Sequence, residues 1–307
     1  MKTDYVLITP VHNEKGVFET VIESVVSQTI LPQKWVIVDD ASTDGSDDII
    51  RKYQMRYDFI AVLRLQPSST NSYYARKTEV FLAGYEKIRG LKCSFIGNLD
   101  ADIIMPHDYY ERIFAEFDEN PKLGIASGIY LDKNGEKLQK VLIDKSHSPG
   151  ALQMFRRECY EAIGGYTPQK YGGDDTCAEI MARMNGWQTR SFAEIQVIHF
   201  RPVGTRNKRS VHRARFYQGL TEYGVGSHPL FMVCRCLRRA FLEKPYISGS
   251  VARFAGFLYG YLIREKRAVP VEVIRYLRKE QIGRLLGRCG TTQVNKAGRS
   301  SDGVTSE

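Results

Sequence analysis

Over roughly the first 130 positions, short apolar runs alternate with stretches in which apolar residues recur every three or four places. Residues 5–9 (YVLIT), 35–38 (WVIV), 59–65 and 93–97 have the length and composition of strands in a sheet interior. Between the first two, Val17, Val21 and Val25 keep helical spacing, which predicts a helix over 17–27. Further helices are predicted over 44–53, where Asp44, Ser46 and Asp47 suit a helix N-terminus, and over 73–88. Pro106 is read as opening another helix, because proline is at ease in a first turn, and 123–131 returns as a strand.

Strands alternating with helices predict an α/β fold, with a mostly parallel central sheet covered by helices on both faces. In such sheets ligands bind beyond the carboxyl ends of the strands. The segments just past those ends are 10–14, 39–40, 66–72 and 100–102, and three of the four are polar and acidic.

The remainder reads differently. Residues 132–205 are less regular, with glycine turns at Gly164-Gly165 and Gly172-Gly173. From 206 onward helices are expected over 230–242, 253–267 and 270–286, each mixing apolar with basic residues, while 290–307 is polar, rich in Gly and Ser, and expected to be disordered. The organisation expected is an α/β domain over 1–205, a helical extension over 206–289 and a tail over 290–307.

Charge sharpens that division. The 307 residues carry a net +9, but 1–205 hold 24 Lys and Arg against 28 Asp and Glu, whereas 206–307 hold 20 against 7. A basic C-terminal third facing an acidic body implies an anionic partner such as a phosphate or a membrane surface; without a recognisable module, nucleic acid is not expected. The longest strongly apolar run, 254–263, is far short of the roughly 20 residues of a spanning helix. Residues 1–4 lead straight into a strand-like run, so no secretory leader is expected. The six cysteines (93, 159, 177, 234, 236, 289) have no zinc-site spacing and are expected to be reduced thiols of a cytoplasmic protein.

Four acidic or basic features follow strands or precede a helix. Asp100-Ala101-Asp102 lets two carboxylates converge past a strand end, and hard oxygen ligands suit Mg²⁺ or Mn²⁺. Asp39-Asp40 opens a segment, Asp39 to Ser46, that also fits a helix cap. Gly172-Gly173-Asp174-Asp175 precedes a helix running to about Met184; one carboxylate beside another can have its pKa raised and serve as a general base. His199 ends a strand-like run and becomes a candidate metal ligand if it lies near Asp102.

The order of these pieces resembles the family 2 glycosyltransferases of the GT-A fold. The likeness covers about 4–205 and rests on Thr9-Pro10-Val11-His12-Asn13-Glu14, Val38-Asp39-Asp40-Ala41-Ser42-Thr43-Asp44-Gly45, Leu99-Asp100-Ala101-Asp102 and Gly172-Gly173-Asp174-Asp175. It departs from the family in the loop before Arg76 and in having Asp-Asp where Glu-Asp is commoner. The resemblance implies a nucleotide site at Pro10, Glu14, Asp39, Asp40, Arg76 and Asp100, with Asp40 on the base, uracil. It implies Mn²⁺ or Mg²⁺ at Asp102, with His199 a further ligand, and Asp175 as catalytic base with Asp174 beside it. The Gln-x-x-Arg-Trp motif of processive synthases is absent, so transfer of one sugar with inversion is expected, from a UDP-sugar to a lipid-linked or saccharide acceptor. A peripheral position on the cytoplasmic face of an anionic membrane would explain the basic helices. Competing readings are a nucleotidyltransferase that makes a nucleotide-sugar, a glycoside hydrolase, and an inactive glycan- or lipid-binding module.

Overall fold

A computed structural model describes residues 3–70, 72–134, 137–141, 143–200 and 210–287. Strands β1 (Tyr5–Val11), β2 (Lys34–Asp40), β3 (Ile60–Leu65) and β4 (Phe95–Asn98) form in the predicted places. They lie side by side in the order β3-β2-β1-β4, all parallel. Their connections are the helices α1 (Phe18–Val26), α2 (Ser46–Gln54) and α3 (Tyr73–Ile88). Alternation along β1 sends Tyr5 and Leu7 to one layer and Val6 and Ile8 to the other. The first layer packs on Phe18, Val21 and Val25 of α1; the second packs on Val80 and Phe81 of α3. Burying both faces explains why these strands read as continuous apolar runs.

After β4 come β5 (Ile103–Ile104), α4 (Tyr109–Glu119), β6 (Leu123–Asn134), β7 (Lys137–Lys140), β8 (Met154–Arg156), α5 (Arg157–Ala162), α6 (Asp174–Met184) and β9 (Gln188–His199). The sheet continues β4-β8-β6-β9-β5, with β7 paired to β6. The short β8 runs antiparallel to both neighbours, whereas β6 and β9 are parallel to each other. Pro106 stands ahead of α4 rather than inside it: its carbonyl accepts the Tyr109 N–H and the Gln28 side chain, closing the turn that delivers the helix.

Four helices follow: α7 (Val211–Gly224), α8 (Pro229–Leu242), α9 (Tyr246–Leu262) and α10 (Val271–Leu285). Helix α9 begins seven residues before the expected 253, because Gly249 and Ser250, poor helix formers, are buried against neighbours. Helices α7 and α9 cross backbone to backbone. A Cβ on Gly219 would lie 1.9 Å from the Arg253 carbonyl oxygen, and one on Gly256 2.0 Å from that of Phe216. Helix α10 packs on α6, where Val273, Ile274 and Leu277 meet Cys177 and Ile180, and Arg183 pairs with Glu280 at 3.1 Å. Among the described residues no helix is long and apolar enough to cross a membrane. Five cysteines are unpaired thiols; Cys289, Asn71, the segment 201–209 and the tail 290–307 lie outside the described residues.

Candidate active site

The loops after β1 and β2 are fastened to each other. Ser42 Oγ accepts the Asn13 N–H at 3.0 Å, Asn13 Oδ1 accepts the Thr43 N–H at 2.8 Å, Ser46 Oγ accepts the Glu14 N–H at 2.9 Å, and Asp44 Oδ2 accepts the Lys15 N–H at 3.0 Å. The turns require left-handed backbone at Asn13 (φ 55°) and Ala41 (φ 53°). Asn tolerates that region readily; Ala is held there by the surrounding bonds. Asn13, Ser42, Asp44 and Ser46 are therefore spent on loop structure.

Beyond these strand ends lies a cleft of about 730 Å³. Pro10, Glu14, Asp40, Arg76, Asp100, Asp102, Asp174, Asp175 and His199 all line it. Asp39 does not. It is 1% exposed, accepts the Ser42 N–H at 3.0 Å, and faces Arg64 at 3.5 Å on the other side of the sheet end. Asp40 is gripped by Arg76, whose Nε lies 3.0 and 3.2 Å from its two oxygens. Asp100 is paired with Lys77 at 2.7 Å, and its Oδ1 is buried with no hydrogen-bond partner among the described residues. Burial disfavours the charge on Lys77, but Asp100 and its other neighbours outweigh it and hold the ammonium above its ordinary pKa. Lys77 carried no signal in the sequence beyond its place next to Arg76.

Strand register builds the next corner. In β9, His199 is paired with Asp132 of β6 on one side and with Ile103 of β5, directly after Asp102, on the other. The imidazole Nδ1 lies 2.8 Å from Asp132 Oδ1, and Nε2 lies 3.6 Å from Asp102 Oδ2. Asp132 fixes the ring, so that Nε2 faces Asp102. Among the described residues no group of three or more His, Cys, Asp or Glu is arranged to hold a metal alone. A carboxylate and a carboxylate-oriented imidazole are the donor set of an ion that takes its other ligands from phosphate and water, so the residues fit Mn²⁺ or Mg²⁺. Nothing local in the sequence marks Asp132; it emerges only from the pairing of strands 67 positions apart.

The opposite wall is the start of α6. Gly173, with φ 98°, turns the chain into the helix. Asp174 accepts the Thr78 hydroxyl at 3.0 Å. Burial and the Asp175 charge raise its pKa to about 6, against the pull of Lys77. Asp175 accepts the N–H groups of Gly150 at 3.1 Å and of Thr176 at 2.7 Å. Ala214, Gln218 and Thr221 of α7 complete this wall, and the Thr221 hydroxyl donates to the Tyr171 carbonyl at 2.6 Å.

An acidic cleft at the carboxyl ends of parallel strands, with a DxD segment on one side and a helix-borne carboxylate pair on the other, defines a GT-A-type glycosyltransferase fold. The model of the family described as glycosyl transferase family 2 matches residues 6–171, over half of the chain, and the protein belongs to that family. Glycosyltransferase AglE of Haloferax volcanii is 32% identical over 108 residues, 34% of this chain and 33% of that protein. The putative teichuronic acid biosynthesis glycosyltransferase TuaG of Bacillus subtilis is 36% identical over 63 residues, 20% of this chain and 25% of that one. The chain thus spans a third or less of the length of these relatives.

Among solved structures, the 1–349 portion of S. aureus TarS in complex with UDP-GlcNAc is similar with a TM-score of 0.54 at 15% identity, over 93% of this chain and 92% of that one. Against a longer TarS chain the match covers 72% of this protein and 39% of TarS, with a TM-score of 0.52. The mannosyltransferase PcManGT of Pyrobaculum calidifontis, solved with GDP-Man and Mn²⁺, gives 0.54 at 14% identity over 92% and 86% of the two chains. At such identities the likeness is one of fold.

Proposed function

We propose that the protein is an inverting, metal-dependent glycosyltransferase that moves one sugar from a UDP-sugar to a hydroxyl of a lipid-linked or saccharide acceptor. The observation that supports this most is the gathering around one cleft of residues drawn from β1, β2, α3, the end of β4, α6 and β9. Pro10 and Glu14 border the nucleotide. Arg76 holds Asp40 in position through both Nε and Nη2 on Oδ1 and Nε on Oδ2, so Oδ2 keeps a second lone pair with which Asp40 accepts from the N–H edge of uracil. Asp39 supports that loop from behind, and Asp100, steadied by Lys77, faces the ribose and diphosphate.

Asp102 and His199 would hold Mn²⁺ or Mg²⁺, which supplies neutralisation of the charge that builds on the departing diphosphate. Asp175 takes the proton from the acceptor hydroxyl as that oxygen attacks the anomeric carbon from the face opposite the leaving group. Asp174 beside it, buried and facing the Asp175 charge, has its own pKa raised to about 6. The chain is further read as a peripheral protein of the cytoplasmic face. Apolar residues stand exposed along α8 and α9, with Phe241 at 75% and Leu262 at 79%, among exposed Arg238, Lys244, Arg264 and Lys266.

Calorimetric titration with UDP, GDP and CDP, each with and without Mn²⁺, tests the reading. Preferred binding of UDP, tightened by Mn²⁺, is expected. Preference for GDP or CDP would overturn the assignment of the base at Asp40. Binding of none would return the inactive-module reading.

A further inference from the structure

His147, which lines the cleft, has no part in the reaction as proposed. The first two acidic residues of α6 face opposite ways: Asp174 meets Thr78 of α3, and Asp175 meets the N–H of Gly150. One turn further on, Glu179 reaches the same 147–150 segment. It accepts the Ser148 N–H and stands 3.1 Å from Nδ1 of His147. Helix α6 therefore grips this segment at two points and holds the His147 ring against the cleft wall, beside Asp175 and away from α3.

The pair is asymmetric. Glu179 is 2% exposed, whereas 35% of the His147 side chain remains open. Nδ1 is engaged by Glu179, and Nε2 has no hydrogen-bond partner among the described residues. Burial works against a charge on the ring, but Glu179 and Asp175 outweigh it and Arg235, raising the pKa to about 9, so the ring is an imidazolium at neutral pH. Its charge is not cancelled outright, because Glu179 also faces Gln153 Nε2 at 3.4 Å and Arg183 at 4.0 Å. A buried ion pair kept only for packing gives little stability; one that keeps a charged N–H at a cleft wall gains a donor for a negative group.

We infer that His147, positioned by Glu179, forms a subsite for an oxyanion, phosphate or carboxylate, carried by the acceptor next to the hydroxyl that reacts. The inference rests on the transferase reading, with Asp175 as the base that faces the acceptor. The donor diphosphate belongs to the Asp100–Asp102 side, so the two negative groups occupy different ends of the cleft.

The test uses the full chain saturated with UDP and Mg²⁺, so that the donor end is filled, and follows histidine side-chain resonances by NMR. His147→Gln, which keeps a donor toward Glu179, identifies the His147 signals; His147→Asn serves if that variant does not fold. Methyl phosphate and methyl glucuronide are titrated separately. Saturable movement of the His147 signals is expected with at least one, and the variant weakens binding of that probe roughly tenfold or more. Response to methyl phosphate alone points to a phosphorylated acceptor, and to the glucuronide alone to an acidic sugar. No saturable movement with either, or equal binding by the variant, overturns the subsite. Failure of UDP to bind in the same sample would instead count against the transferase reading.

Discussion

The two walls of the cleft are built on different principles. The donor-side wall is made of loops at parallel strand ends, joined to each other by hydrogen bonds between neighbouring motifs, such as Asn13 to Ser42 and Thr43. The facing wall is made of parts distant in the chain: the first turn of α6, the 147–150 segment and a helix from the basic extension. One wall is a local consequence of short motifs; the other exists only once the whole chain has folded. On the proposed reading, donor binding falls to the first wall and selection of the acceptor to the second.

The sharpest way to break this division is at Asp175. Asp175→Asn is expected to lower the transfer rate by about 10³-fold while UDP affinity, owed to the other wall, stays unchanged. Single-turnover rates and calorimetry on the same preparation check it, and a large loss of UDP binding would show that the walls are not separable. The next largest effect concerns the extension. Phe241→Ser with Leu262→Ser is expected to weaken flotation with anionic vesicles by about 100-fold or more, since each exposed apolar side chain contributes about 1.5–3 kcal/mol when it leaves water. Nucleotide binding is unaffected. Wild-type protein that does not float would remove the membrane role.

A smaller change probes the corner between the walls. Asp132→Asn keeps the shape of the side chain but weakens its hold on the imidazole of His199. Mn²⁺ affinity in the presence of UDP is expected to fall about 10–100-fold, with metal-free UDP binding unchanged. Unaltered Mn²⁺ affinity would reduce the Asp132–His199 contact to packing. The smallest effect is on stability. Because burial and Asp175 raise the pKa of Asp174 to about 6, the folded state holds a proton there that the unfolded chain releases near its ordinary, lower value. The sign follows: stability falls as pH rises through that window, and the loss is complete above about pH 6. Asp174→Asn is then expected to be about 1–2 kcal/mol more stable than wild type at pH 7.5 and no more stable near pH 4, measured by urea unfolding.

These contrasts also explain what could be read in advance. The strands at 5–9 and 35–38 announced themselves because a sheet buried on both faces needs continuous apolar runs, whereas the edge strand at 59–65 is apolar but only partly buried. Pro10, Glu14, Asp40, Asp100 and Asp102 were legible because they lie at or within a few positions of the ends of β1, β2 and β4. Asp132, His147, Glu179 and Lys77 were not, since their places depend on strand register and on the packing of α6 against 147–150. The 132–205 region looked irregular for a related reason. In β9 the polar Thr189 and Ser191 are buried beside apolar residues, which blurs the alternation that would mark a strand.

The fastening of the loops after β1 and β2 has a thermodynamic consequence. Four cross-loop hydrogen bonds and two left-handed backbone positions tie these loops together through the chain's own groups. The entropy of ordering these loops is spent during folding, not at binding. On the proposed reading, nucleotide would enter a seat already ordered at the end formed by these loops. There, the heat-capacity change on binding stays close to that of the buried ligand surface alone, with no added contribution from a folding loop.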